Sequence, residues 1–134
     1  MTVTGREPTA GSYQIQQNAH LTLTTGADVL QHASDWTFVF TPTAGSWVAP
    51  WTPADGTMTV NGSWGATVNA LTVNAIVTST TPLTLATSCA TRVTAGTLQA
   101  GFAATKADAK THQLIVTWTG CGQTTRTLDG TPVP

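Results

Sequence analysis

Charge is what this sequence has least of. Asp, Glu, Lys and Arg fill only 8% of 134 positions, and the net charge is −1. No Lys/Arg cluster occurs anywhere. Neutralising a phosphate backbone takes several cations on one surface, so the composition argues against a nucleic-acid partner. Long apolar runs are missing too. A membrane helix needs about 20 consecutive apolar residues, and no stretch approaches that, so no membrane span is expected. Cysteine is limited to Cys89 and Cys121. These two and three scattered histidines lack the ligand spacing of a zinc site, so no metal or cofactor is expected.

The same scarcity bears on catalysis. The one glutamate, Glu7, lies in the polar start of the chain, and the aspartates are Asp28, Asp35, Asp55, Asp108 and Asp129. Most sit where Asp bonds its own backbone in a turn. A glycosidase needs two carboxylates facing one pocket; Asp35 and Asp55 are the nearest candidates, on either side of a Trp-rich segment. His20, His32 and His112 stand on separate segments with no metal-ligand spacing. No Gly-x-Ser-x-Gly elbow is present. The chain reads as non-catalytic, with no catalytic residues assigned.

What the sequence has instead is threonine, at 30 positions. Threonine is β-branched, poor in helices and suited to a half-exposed strand. Laid along the chain, it alternates with Leu, Val and Trp and marks the faces that meet water. Thr-x-Thr pairs recur, for example Thr22/Thr24 and Thr57/Thr59, but at irregular spacing, which argues against an ice-binding array. Only 103–110 has helical preference, and it reads as a solvated turn.

The expected elements are short. Segments 12–16 and 20–25 read as weak strands, 29–32 as a turn of helix, and 35–41 as a strong strand. Short strands follow at 45–49 and 57–64. The alternation over 66–79 is too long for one regular strand, so a bulge or bend is expected within it. Pro82 opens a strand at 83–86, 91–94 is marginal, and 97–103 follows. Segments 111–119 and 124–128 make a hairpin around Gly120-Cys121-Gly122. Eight to ten short strands without a βαβ rhythm predict an all-β, single-domain antiparallel β-sandwich, with a small closed β-barrel as the alternative. The domain is expected over 12–130, between a flexible tail at 1–11 and a short one at 131–134.

Cys89 and Cys121 both sit beside turn residues, which suits a disulfide joining two strand ends. Such a bond, with the low charge, points to an extracellular or cell-surface protein. Residues 1–8 lack a basic-then-apolar signal layout, so a native signal is expected to have been removed. Asn61-Gly62-Ser63 matches a glycosylation acceptor, relevant only in a eukaryotic secretory host.

Three of the five tryptophans, Trp47, Trp51 and Trp64, fall within 18 residues around a Pro- and Gly-rich loop. Clustered Trp beside a loop forms a platform for sugar rings or an anchor for a protein partner. Asp55 and Asn61 would supply polar contacts. The expected function is a secreted or surface-exposed binding module for a carbohydrate or protein partner. A structural subunit of a virion or surface layer, and a small-ligand barrel, are the alternatives.

Overall fold

The computed structural model describes residues 2–6, 12–43, 55–69, 71–104 and 110–134. Their strands are β1 (Thr2–Arg6), β2 (Tyr13–Thr25), β3 (Asp28–Pro42), β4 (Gly56–Val68), β5 (Leu71–Leu85), β6 (Val93–Ala104), β7 (His112–Gly120), β8 (Gln123–Leu128) and β9 (Thr131–Pro132). All pair antiparallel, in the order of the sequence, within one sheet. The all-β antiparallel expectation holds. The sheet is not closed, because β1 and β9 are its two free edges. The closed barrel is therefore set aside. The described strands form one hydrogen-bonded sheet.

Several expected elements differ. Residues 2–6, read as part of a tail, form β1 against β2. Residues 131–132, read as the other tail, form β9 against β8. The link is Asp129-Gly130, with φ of 50° and 81°, which is the pairing a type I′ hairpin demands. Segments 12–16 and 20–25 merge into β2. The helical turn expected at 29–32 is strand, because Leu30 lies between Leu23 of β2 and Val68 of β4. Cross-strand packing overrides the local preference there. The bend expected within 66–79 is a full reversal at Asn69, with φ 53°. Pro82 lies inside β5, where the register is irregular, the setting that tolerates a residue without an N–H. The strand expected at 45–49, and most of the turn at 103–110, lie outside the described residues.

Two ends of the sheet can be distinguished. At the first, Cys89 and Cys121 form the expected disulfide, with a Cα–Cα distance of 5.6 Å. It joins the β5–β6 turn to the β7–β8 turn. Register shifts gather here, between Met58 and Asn61 along β4 and at three places between Ser79 and Leu85 along β5. Bulges increase local twist and bend a sheet. Ser79 fills one irregularity: its hydroxyl accepts from the Val60 N–H at 2.7 Å and donates to the Val60 carbonyl at 3.1 Å. Val60, Leu83 and Cys89 are the buried apolar side chains among the described residues. All three belong to this end.

The second end holds the β2–β3 turn at Gly26-Ala27, Asn69, and the meeting of β7 with Asp129. Asn69 ties two turns together. Its side chain accepts from the Val29 N–H at 3.1 Å and donates to Asp28 at 2.9 Å, and its backbone N–H bonds the Val29 carbonyl. Here the registers of β2, β3, β4 and β5 run without a shift.

Candidate functional site

Strand pairing sorts the side chains onto two faces, since residues paired across strands share a face. One face is polar. A row across it reads Asn18, Asp35, Ser63, Ile76 and Gly101. The next reads His20, Ala33, Gly65 and Asn74, and beside it run Thr22, Gln31, Thr67 and Thr72. Small Ala33 and Gly65 leave a shallow groove of about 310 Å³ here. His20, Gln31, Thr67 and Asn74 line it. Thr67 and Thr72 share a hydroxyl–hydroxyl bond of 2.9 Å.

The other face is apolar. Its long row reads Gln17, Trp36, Gly62, Val77, Ala100, Leu114 and Leu128. The Trp36 ring lies over Gly62, where any Cβ would meet the ring and the Asp35 carbonyl. Moving toward the second end, the rows are Ala19, Ser34, Trp64 and Ala75, then Leu21, His32, Ala66 and Val73, then Leu23, Leu30, Val68 and Leu71. Among the described residues, six of the seven exposed large apolar side chains lie on this face: Ile15, Leu21, Leu23, Trp64, Val68 and Leu71. Leu23 is 50% exposed and Trp64 37%. The seventh, Ile76, is on the polar face. Trp36, Phe38, Phe40, Phe102, Leu114 and Trp118 are only half-buried.

Lone exposed apolar residues are ordinary on a monomer, but a contiguous apolar patch marks an interaction surface.

The described residues of the expected Trp-rich site, Asp55, Asn61 and Trp64, do not come together. Trp47 and Trp51 lie outside the described residues. Trp64 stands on the apolar face, its ring 6.0 Å from that of His32. Asn61 is exposed on the polar face, paired with Thr37 and Thr78. Asp55 precedes β4 at the first end, nine residues from Trp64, so roughly 30 Å away at strand rise. Its carboxylate accepts the Thr87 N–H at 2.6 Å. That bond and a further one from the Thr87 side chain hold its pKa below the usual carboxylate value. Asp55 thus fastens one turn to another.

The expected catalytic candidates are dispersed as well. Asp35 and Asp55 belong to the middle and the end of the sheet, some eight residues of strand apart, or roughly 26 Å. Paired glycosidase carboxylates stand within about 10 Å. His20 is on the polar face, and His32 and His112 are on the apolar face, on β3 and β7. Among the described residues no three His, Cys, Asp or Glu side chains converge as metal ligands, and no helix is long and apolar enough to cross a membrane. His112 bonds Asp129 through Nδ1 at 2.7 Å, and its ring lies 5.6 Å from that of Phe102.

Sequence reasoning placed the tryptophans in a local cluster and missed the sheet face that carries Trp64. The signal was present: apolar alternation recurs through β2, β3, β4 and β5. No protein-family model matches the chain, and comparisons with curated proteins and with solved structures find no match.

Proposed function

We propose that this chain is a non-catalytic assembly subunit, built into a larger protein structure through the apolar face of its sheet. The observation that carries the reading is the apolar surface from Leu21 and Leu23 to Trp64 and Leu71, left exposed on one face while the opposite face carries mostly polar side chains. A sheet that keeps one face apolar needs a second layer over it. In this reading a protein partner supplies that layer, and the sandwich expected from the sequence is completed between chains. The Cys89–Cys121 bond fits assembly in an oxidising setting, at a cell surface or outside the cell.

The test places a photo-cross-linking benzophenone side chain at Leu71 and, in a second protein, at Ile76. Both positions are exposed, on opposite faces. With the full chain expressed in its own cells, position 71 should give discrete protein adducts and position 76 none. Equal adducts from both positions, or adducts from position 76 alone, would overturn the reading.

A further inference from the structure

We propose that Cys121 is an entry point for small thiols, where a thiolate of the glutathione class displaces Cys89 and forms a mixed disulfide while the sheet stays folded. The site belongs to the disulfide end, and its chemistry is independent of what the apolar face does.

The two sulfurs of the bond differ in access. Cys89 is 3% exposed, held in the turn between β5 and β6. Cys121 is exposed, at the tip of the β7–β8 hairpin between Gly120 and Gly122. Glycine has no side chain, so neither neighbour shields the sulfur. Access decides which sulfur of a disulfide is attacked, and a thiolate arriving from water meets Cys121 first.

Charge permits the approach. Residues 112–128, the whole hairpin, contain no Asp or Glu. The carboxylate of this end, Asp55, accepts the Thr87 N–H and has the Arg92 charge nearby. An anionic thiol therefore meets no like charge from the hairpin's own side chains.

The leaving group is provided for. A disulfide sulfur carries no proton, so the Thr91 hydroxyl is the donor in its 3.1 Å contact with Cys89 Sγ. Its oxygen is 4.0 Å from Cys121 Sγ. As the incoming thiolate bonds Cys121 Sγ, the Cys89–Cys121 bond breaks and its electron pair leaves on Cys89 Sγ. The same hydroxyl then stabilises that thiolate. Return attack by Cys89 on Cys121 Sγ expels the small thiol and reverses the step. Attack by a second thiolate on the sulfur of the first releases Cys121 as a thiolate. The two electrons gained by the cysteines thus come from two thiols, which depart as their own disulfide.

Opening stays local because the strand pairing has already ended. The β6–β7 register stops at Gly96 with Trp118. Beyond it the disulfide joins the two turns, and Thr91 lies over Gly122. The β5–β6 turn keeps its own bonds once the sulfurs part. The Ala86 N–H bonds the Arg92 carbonyl at 2.8 Å, the Arg92 N–H bonds the Cys89 carbonyl at 2.9 Å, and Asp55 holds Thr87.

The experiment exposes the native full chain to reduced glutathione at mildly alkaline pH, stops the exchange with N-ethylmaleimide, and maps the products by peptide mass. Early products should carry glutathione on Cys121 and maleimide on Cys89, in about 10-fold excess over the reverse. The rate should stay flat across urea concentrations below the unfolding transition. Thr91→Val should slow it about threefold, and Thr91→Ser should restore it. In the fully reduced chain, amide exchange should rise at 86–92 and 119–123 and not at the β2–β3 turn.

Glutathione found mainly on Cys89, or equally on both cysteines, overturns the proposal. So does a native chain that does not react, or a rate that climbs with urea in step with unfolding, since attack then waits for an open chain. Thr91→Val exchanging at the wild-type rate overturns the role given to the hydroxyl. Circular dichroism shows whether that variant has kept its fold, and the wild-type mapping decides the matter if it has not.

Discussion

The two ends of this sheet are made from similar residues and reach opposite outcomes. At the disulfide end, register shifts in β4 and β5 bend the strands, Leu83 is 3% exposed, and Asp55 and Cys89 lock turns together. At the Asn69 end the strands pair without a shift, and Leu21, Leu23, Val68 and Leu71 stay in water. The difference lies in geometry rather than in hydrophobicity. A bulge twists a sheet enough for its own side chains to cover one another, while a regular stretch offers a surface that only another layer can cover.

The largest effect should come from breaking the staple. The Cys89→Ala/Cys121→Ala double variant removes a cross-link spanning 32 residues, worth roughly 3–4 kcal/mol in the chain-entropy account. Urea unfolding should show that loss. Amide exchange should rise first in the β5–β6 and β7–β8 turns while the β2–β3 turn is unaffected. A loss below about 1 kcal/mol would mean the staple is not what distinguishes this end.

Two leucines sharpen the contrast. Leu83→Ala, in the buried end, should cost about 3 kcal/mol, within the usual range for a buried leucine. Leu71→Ala, 41% exposed, should cost under about 1 kcal/mol in dilute protein. Equal costs for the two variants would erase the distinction between the ends.

Much of this was legible in the sequence. Threonine alternating with apolar residues marks β structure, and Gly120-Cys121-Gly122 marks a hairpin that forms as β7 and β8. The disulfide followed from two cysteines beside turns. The extent of the strands was less legible. Segment 29–32 has no strong strand signal of its own, and Leu30 becomes strand only because Leu23 and Val68 flank it. Asn69 ends a strand through a left-handed backbone and bonds to Asp28 and Val29, partners about 40 residues away. Nor does alternation say how many layers result. It gives each strand an apolar side without saying what lies against it. Trp64, Asp55 and Asn61 were grouped by proximity in sequence, and strand geometry separates neighbours by distance and by face.

The smallest predicted effect concerns the acidic clasps, one at each end. Asp129 caps the turn into β9, where His112 bonds its Oδ2 and the Gln113 N–H bonds its Oδ1 at 2.7 Å. These bonds, the one to His112 foremost, hold its pKa below the ordinary value of 3.8. Asp55 is lowered at the other end, first by the Thr87 N–H. A carboxylate whose folded pKa is lowered binds fewer protons folded than unfolded in the acid range. Its stabilisation is therefore complete above the ordinary carboxylate value and fades as pH falls through the lower, folded one. Asp129→Asn and Asp55→Asn should each lower the urea midpoint slightly at pH 7, since both groups are solvent-exposed and such contacts are screened. At pH 3 each difference should shrink as the wild-type carboxylates take up protons. A difference that stays constant from pH 7 to pH 3 would trace the effect to the acceptor oxygen that the asparagine amide replaces, and remove charge from the account of how either end is held.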